Sequence, residues 1–162
     1  GTAFAQAQTV SPGDTVQLYC MLPPATAALQ AAIGGGPRIV RDGHVSIEHQ
    51  QEHLSAAFAA DRHPRTAVGF TQDEQTLFLV TIDGRQPGHS VGMTLQELAE
   101  LMTGKLPLFT KARRGAFQAL NLDGGGSTTM IVRRRIVNRP SNQTGERAVA
   151  NALLLVQPKG RA

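Results

Sequence analysis

Residues 65–85 read RTAVGFTQDEQTLFLVTIDGR, in which two apolar stretches flank a polar segment at residues 72–75. Apolar runs on both sides of polar turn residues predict two β-strands, residues 65–71 and 76–83, joined as a hairpin. The second strand carries the apolar run LFLV at residues 77–80, which is typical of a buried central strand. Residues near the start of one hairpin strand face residues near the end of its partner. Arg65 and Asp83 are therefore expected at the same edge of the sheet.

Further strands are predicted on either side of this hairpin. Asp42-Gly43 is a strong two-residue turn signal that joins predicted strands at residues 38–41 and 44–47. Apolar patterns predict the remaining strands, one beginning at Asp14 and the others covering residues 117–122, 128–133, 135–138 and 149–156. The arginines at 133–135 are expected near the turn between two of these strands.

One helix is clearly marked in the sequence. Thr94 and Glu97 form a capping box, the apolar residues of segment 95–103 share one face, and Gly104 is a natural C-terminal stop. A second, shorter helix is expected over residues 25–33. Few helices among many strands predict an α+β fold, with a mixed, largely antiparallel β-sheet and one or two packed helices.

Length and composition limit the class of protein. A chain of 162 residues suits one domain, which we place at residues 14–157 between a loose lead-in at 1–13 and a tail at 158–162. No apolar run approaches the roughly 20 residues that cross a bilayer, so no membrane span is expected. Cys20 is the only cysteine, and no Cys/His cluster has zinc-finger spacing. An internal disulfide and a structural zinc site are therefore excluded.

Charge is distributed unevenly along the chain. Residues 103–162 hold 11 Lys and Arg against 2 Asp and Glu, whereas residues 1–102 hold 5 against 10. Such asymmetry suits an anionic partner, which can be a nucleic acid, a membrane surface or a phosphorylated small molecule. Aromatic residues make up 4% of the chain and Trp is absent, which argues against base stacking on single-stranded nucleic acid. We therefore expect no nucleic-acid partner.

The densest functional signal is NLDGGGSTT at residues 121–129, between two predicted strands. Three glycines allow successive backbone N–H groups to turn toward one anion, and the Ser127 and Thr128 hydroxyls are further donors. The lysine and spacing of a P-loop are missing. The segment therefore predicts a phosphate cradle of another kind, with a flexible turn as the alternative interpretation.

Two other groups of polar residues are candidates. At the predicted sheet edge, Arg65 can clamp a phosphate and Asp83 can act as a base, although an ordinary edge ion pair explains the same residues. Arg147 and Asn151 flank the last apolar segment, where such residues more often cap backbone groups than touch a ligand. The five histidines have no recognisable metal-binding spacing.

Several segments, in order, resemble the phosphodiester glycosidase family. They are RTAVG at 65–69, LFLVTIDGR at 77–85, SVGMTL at 90–95 with the following ELAELM, ALNLDGGGSTTM at 119–130, VNRPS at 137–141 and GERAVANALLLV at 145–156. With GGGPRIVRDG at 34–43, the resemblance covers residues 34–156. Each segment alone is a weak signal, and together they are specific.

The resemblance implies a hydrolase that cleaves a sugar-1-phosphodiester of the N-acetylglucosamine-1-phosphate type to free sugar and phosphomonoester. It implies catalytic roles for Asp123 and Asp83. It implies substrate or phosphate binding by Arg65, Thr66, Asn121, Gly124, Gly125, Gly126, Ser127, Arg147 and Asn151. No cofactor is required by this chemistry, and a divalent cation, Ca²⁺ or Mg²⁺, is left open. The alternative is a non-catalytic carbohydrate- or phosphosugar-binding module of a cell-envelope protein.

The sequence also departs from the family pattern. An upstream Asn-Gly-Gly-Phe-like segment is missing, and residues 105–115 resemble an insertion between the helix and the following strand. Because sheet edges left without partners favour association, we expect a homodimer or a complementary upstream fragment. The implied substrate class predicts a bacterial protein that is secreted, periplasmic or attached to the cell envelope.

Overall fold

Five strands pair into one antiparallel sheet in the computed structural model, which describes residues 11–15 and 32–156. Contacts divide the chain into two units, Gly1–Ala32 and Ile33–Ala162, and the sheet belongs to the second. The strand predicted from Asp14 and the helix predicted over 25–33 fall mainly on residues 16–31, outside the described residues. Most of the predicted lead-in and all of the tail also lie outside them.

The sheet has the order β2-β1-β5-β3-β4, so the order in space differs from the order in the chain. Its strands are β1 (Arg38–Arg41), β2 (His44–Val45), β3 (Arg65–Phe70), β4 (Leu77–Ile82) and β5 (Gln118–Asn121). Both predicted hairpins are confirmed, although β2 is shorter than expected. Arg65 pairs with Ile82, which places it beside Asp83 at one sheet edge as the sequence predicted.

The core lies between one face of the sheet and a helix. Helix α2 (Leu95–Glu100) follows a shorter helix, α1 (Ala56–Ala60). The strands and the α2 region contribute buried apolar side chains, which are Ile39, Val40, Ala67, Phe78, Leu95, Leu98, Ala99, Met102 and Ala119. The mostly antiparallel sheet with few helices confirms the α+β class.

The N-terminus of α2 forms as predicted and its C-terminus does not. The Thr94 side chain accepts a hydrogen bond from the Glu97 backbone, and the Glu97 side chain accepts one from the Thr94 backbone. The prediction that Gly104 ends the helix is wrong, because the chain continues through a π-helical turn, Leu101–Lys105, into α3 (Leu106–Phe109). Leu106 is buried against the core, and this tertiary contact outweighs the local preference of glycine.

Gly115 lies where the chain returns against this helical segment. Ala116 N–H donates to Met102 O at 2.7 Å, and a Cβ on Gly115 would overlap the Thr103 carbonyl. We expect Gly115→Ala to lower the free energy of unfolding by about 3 kcal/mol or more, because the added Cβ would meet backbone atoms of the helical segment, which cannot move aside cheaply. Gly104→Ala is the matched control, since a Cβ there meets no atom within 4 Å. Urea unfolding of both variants tests this, and equal stabilities would contradict it.

The C-terminal part of the chain contains less strand than predicted. Of the segments 128–133 and 135–138, only β6 (Ile131–Val132) and β7 (Arg135–Ile136) pair, as a separate two-stranded hairpin. The strand predicted over 149–156 is wrong, because no described strand lies beside it to supply hydrogen bonds. Its large apolar residues are exposed, with Leu154 at 75% and Val156 at 80%. Among the described residues, no helix combines the length and apolarity needed to cross a bilayer.

Candidate functional site

The glycine-rich segment follows β5 directly and passes close to the start of β3. Gly125–Ser127 forms one 3₁₀ turn, and Gly125 has a φ of +59°, in the left-handed region that favours glycine. A Cβ on Gly124 would lie 2.8 Å from Pro64 O, so this position has no room for a side chain. Gly124 therefore allows the backbone to approach Pro64 closely, and Gly125 allows the turn.

The backbone of this segment differs from the predicted phosphate cradle. Gly125 N–H donates to Pro64 O, and the N–H groups of Ser127 and Thr128 donate to carbonyls within the segment. Because these three donors are already used, successive N–H groups do not converge on one anion in this arrangement. Positive charge at this place comes from side chains instead.

A cavity of about 290 Å³ opens beside the glycine turn. Its lining is unusually cationic, with three arginines and a histidine against one carboxylate. The lining residues are Phe58, His63, Pro64, Arg65, Arg85, Asn121, Asp123, Gly124, Gly125, Gly126 and Arg147. A concave site with an excess of guanidinium groups is suited to a phosphate or another oxyanion.

Arg85 and His63 form a pair on one side of this cavity. Arg85 Nη2 donates to His63 Nδ1 at 3.2 Å, and because a guanidinium can only donate, the ring proton is assigned to Nε2. Burial, and then the charges of Arg85 and Arg65, lower the pKa of His63, so the ring is neutral at pH 7. Arg85 also has a φ of +56°, which is uncommon for a residue with a side chain.

Arg147 lies beside the next glycine of the turn. Its Nη2 donates to Ser127 Oγ and lies 3.8 Å from Asp123 Oδ2. A Cβ on Gly126 would be 3.5 Å from Arg147 Nη1, just as a Cβ on Gly125 would be 3.1 Å from Arg85 Nη1. Two guanidinium groups therefore flank two successive glycines.

Arg65 is held inside the protein. It is 2% exposed, its Nε donates to Met93 O, and its Nη2 donates to Phe58 O and Asp61 O. Its guanidinium carbon also lies 5.1 Å from the centre of the Phe58 ring. Arg65 thus holds the end of α1 against the sheet while it adds positive charge to the cavity wall, and its predicted contact with phosphate stays a prediction.

A second cavity of about 420 Å³ adjoins the first. Its wall is more apolar, and it shares Phe58, Asp123 and Gly124 with the cationic cavity. The lining residues are Gly34, Gly35, Gly36, Glu52, Leu54, Phe58, Leu122, Asp123 and Gly124. Asp123 therefore lies at the junction of a cationic cavity and a more apolar one, with a side chain that is 73% exposed.

Asn121 ends β5 next to this junction. It is 1% exposed, and its Nδ2 donates to Gly36 O at 2.7 Å and to Leu122 O at 3.0 Å. Its Oδ1 has no hydrogen-bond partner among the described residues, although it is buried. A buried acceptor without a partner costs about 1–3 kcal/mol, and a ligand hydroxyl in the cavity would relieve that cost.

Asp83 lines neither cavity. Its Oδ2 accepts from His89 Nε2 at 2.8 Å, and its Oδ1 accepts from the Arg139 N–H at 2.9 Å and from Asn138 Nδ2 at 3.2 Å. Burial disfavours the charged form, but these hydrogen bonds outweigh it and hold the pKa of Asp83 below its ordinary value. Asp83 thus fastens the end of β4 to the chain that returns from β7, and its catalytic role stays a prediction.

Asp83→Asn is expected to lower the free energy of unfolding by about 1–3 kcal/mol at pH 7, because hydrogen bonds to a charged acceptor are lost. Because the pKa of Asp83 is lower in the folded state than its unfolded value of about 3.9, the ionised carboxylate stabilises the fold at pH values above about 3.9. This stabilisation is lost as the pH falls through the folded-state pKa. The difference between variant and wild type is therefore expected to shrink toward pH 3. Urea unfolding at both pH values measures it. Asp123→Asn is the control, and an undiminished difference at pH 3 would contradict the argument.

The remaining predicted residues are placed in different surroundings. Thr66 Oγ1 donates to Thr128 Oγ1, which is buried beneath the glycine turn. Asn151 is exposed in the extended C-terminal segment and lines neither cavity. Among the described residues, no three His, Cys, Asp or Glu side chains are grouped in a way that could hold a metal ion.

Three titratable residues of the site were missed by sequence reasoning, namely Glu52, His63 and Arg85, as were the apolar lining residues Phe58 and Leu54. Glu52 accepts a hydrogen bond from the Arg38 N–H at 2.7 Å and is the second carboxylate that lines the more apolar cavity. None of the three lies in a local sequence motif that indicates its function. Only Arg85 carried a signal, because it directly follows Asp83-Gly84 at the end of a predicted strand.

Comparison with known proteins shows which family the sequence resembles. A sequence model of the family described as phosphodiester glycosidase matches residues 2–156. The SPbeta prophage-derived protein YomE of Bacillus subtilis strain 168 is 34% identical over 97 residues, which cover 60% of this chain and 13% of YomE.

Two solved structures are similar in fold as well. A hypothetical protein from Synechocystis has a TM-score of 0.57 and 29% identity, covering 73% of this chain and 20% of its own. The catalytic domain of zebrafish N-acetylglucosamine-1-phosphodiester alpha-N-acetylglucosaminidase, auto-inhibited by its pro-peptide, has a TM-score of 0.52 and 28% identity, covering 67% of this chain and 34% of its own. The chain thus spans about one third or less of the length of each of these relatives.

Proposed function

The chain belongs to the phosphodiester glycosidase family, and from this premise we propose that it hydrolyses a sugar-1-phosphodiester to free sugar and phosphomonoester. One observation carries the proposal: Asp123 lies where the cationic cavity meets the more apolar cavity. A sugar-1-phosphodiester has the same two parts, an anionic phosphate and an uncharged ring, joined at the bond to be cleaved.

We assign the phosphate to the cationic cavity. Arg85 and Arg147 flank the glycine turn, and both guanidinium groups present donors in a planar fork that matches phosphate oxygens. His63 keeps Arg85 in position, and its neutral ring adds an N–H donor at Nε2. Arg65 adds charge from within the wall.

We assign the sugar to the adjoining cavity. Phe58, Leu54 and Leu122 supply apolar surface for a sugar ring. Asn121, whose Oδ1 is unpartnered among the described residues, lines the cationic cavity instead. We propose N-acetylglucosamine as the sugar, because the zebrafish relative is named for that sugar phosphodiester.

The proposed reaction breaks the bond between the anomeric carbon and the phosphate oxygen. The phosphomonoester leaves with the bonding electrons, the water oxygen bonds to the carbon, and a carboxylate accepts the water proton. A phosphomonoester is a better leaving group than an ordinary sugar alcohol, so general-acid assistance is less important here than charge stabilisation. Asp123 is the carboxylate that we place at the anomeric carbon, and Glu52 is the other carboxylate of the lining of the more apolar cavity.

A non-catalytic phosphosugar-binding module is the second candidate. It is favoured by the exposure of Asp123 at 73%, because a catalytic carboxylate is usually more enclosed. The two candidates bind the same ligand, and only the hydrolase releases product.

The test is release of free sugar from an N-acetylglucosamine-1-phosphodiester, with EDTA and with added Ca²⁺ or Mg²⁺. The proposal expects release that saturates with substrate, and a dependence on the added ion would show that a divalent cation assists. Saturable binding of the same compound without any release would support the binding module. A secreted, periplasmic or envelope location, which we propose from the substrate class, is tested by fractionation of the source cells.

A further inference from the structure

The hairpin of β6 and β7 directly follows, in the chain, the glycine turn of the proposed active site. The chain leaves the Gly125–Ser127 turn at Thr128, passes through β6, turns, and returns through β7 to Asn138. Asn138 closes the base, because its Oδ1 accepts from the Met130 N–H at 2.7 Å and its Nδ2 donates to Thr128 O at 3.0 Å. The hairpin is therefore fixed to the segment that leads out of the glycine turn.

The tip of this hairpin has a sequence that its geometry does not favour. Arg133 and Arg134 have φ angles of +50° and +65°, which correspond to the two central positions of a turn that prefers Asn-Gly. Residues with a side chain are strained in this region. Turn formation alone does not explain two arginines at these positions, which points to a role of the side chains themselves.

Three consecutive guanidinium groups are exposed at this tip. Arg133, Arg134 and Arg135 are all exposed, and no described carboxylate lies within ion-pair distance of any of them. They lie in the part of the chain that has 11 Lys and Arg against 2 Asp and Glu. An anionic partner would therefore meet uncompensated charge here.

The distance between this tip and the cationic cavity is limited. Arg133 is six residues beyond Ser127, so at about 3.3 Å per residue the two are at most roughly 20 Å apart. A single sugar phosphodiester carries one phosphate, which the cationic cavity already accommodates. A chain with repeated phosphates can occupy both places at once.

We propose that the tip binds a neighbouring phosphate of a polymeric substrate, so that the protein acts on a chain of repeated phosphodiesters rather than on a single sugar phosphodiester. The inference rests on the proposed function. The proposed substrate class is an anionic polymer with phosphate in its backbone.

The apolar residues of the hairpin do not favour a membrane instead. Ile131 and Ile136 pair across the strands and share one face, whereas Val132 pairs with Arg135 on the other. Two isoleucines without an aromatic neighbour in the hairpin provide little area for insertion at a bilayer interface. The charge of the tip is therefore the feature to test.

The test compares two double variants of the full chain. Arg133→Asn with Arg134→Gly removes two charges and supplies the residues that the turn prefers, so the fold is expected to be as stable as wild type or more stable. Lys111→Gln with Arg113→Gln removes two charges from an exposed loop elsewhere. The probes are long-chain inorganic polyphosphate, pyrophosphate, duplex DNA of random sequence and anionic lipid vesicles.

We expect the hairpin variant to bind polyphosphate roughly 25-fold more weakly, at about 5-fold for each arginine. The slope of log affinity against log salt is expected to fall by about 1.5. Pyrophosphate affinity and release of sugar from the small substrate are expected to be unchanged, as is polyphosphate binding by the control variant.

Three results would overturn the inference. They are unchanged polyphosphate binding in the hairpin variant, an equal loss in the control variant, and a loss of vesicle or DNA binding that exceeds the loss of polyphosphate binding. Failure of the proposed function is seen separately, as absence of sugar release by wild type, because that assay uses a substrate with a single phosphate, which leaves none for the hairpin.

Discussion

Asp123→Asn is expected to reduce sugar release from an N-acetylglucosamine-1-phosphodiester by about 10²- to 10⁴-fold. The carboxylate lies at the junction of the two cavities, where the proposed bond cleavage occurs, and an amide can neither accept a proton nor attack carbon. Because the side chain is 73% exposed and its closest ion-pair partner, Arg147, is 3.8 Å away, the free energy of unfolding is expected to stay within about 0.5 kcal/mol of wild type.

Asp42→Asn is the matched control for this variant. Asp42 is exposed at the other end of the sheet, lines neither cavity, and accepts from Gln118 Nε2 at 2.7 Å, which an asparagine oxygen can also do. The control should retain wild-type kcat and KM. Loss of activity in both variants, or full activity in Asp123→Asn, would remove Asp123 from the chemistry.

Arg85→Gln and Arg147→Gln are each expected to weaken inhibition by inorganic phosphate about 10- to 100-fold. Each variant loses a guanidinium that flanks the glycine turn, and charge-assisted hydrogen bonds are worth about 1.5–3 kcal/mol. Arg85→Lys should recover only part of this affinity, since lysine restores the charge but not the planar fork that also contacts His63.

Arg113→Gln serves as the control for a general effect of charge, because Arg113 is exposed and lines neither cavity. The measurement is the phosphate inhibition constant of each purified variant under the same salt conditions. If Arg85→Gln and Arg147→Gln bind phosphate as tightly as Arg113→Gln, the anion is bound elsewhere and the assignment of the two cavities is wrong.

Local signals in the sequence predicted the parts of the fold that depend on near neighbours. The capping box at Thr94 and the Asp42-Gly43 turn formed as expected, since each is determined by a few consecutive residues. The extension of the helix past Gly104 depends on burial of Leu106 against the core, which no short window reveals. The missing strand at 149–156 has the same explanation, because a strand needs a partner that sequence pattern alone does not supply.

The site was predictable only in part, for related reasons. Asp123 and the glycines share one segment, so their proximity followed from the sequence, and the β3–β4 register brought Arg65 beside Asp83 as expected. The sequence did not predict the side-chain contacts of those two residues. Arg65 is turned into the protein, and Asp83 accepts hydrogen bonds from His89 and Asn138. The sheet order β5-β3-β4 is what places His63 and Arg85 beside the glycine turn, and this order is not visible in any local pattern.

Hydrolysis in water enriched in ¹⁸O tests the central claim most directly, because it identifies the bond that breaks. The account predicts that the label enters the anomeric hydroxyl of the released sugar, while the phosphomonoester contains none. Label in the phosphomonoester would show attack at phosphorus. That result would contradict the assignment of Asp123 to the anomeric carbon and make the protein a phosphodiesterase of another kind.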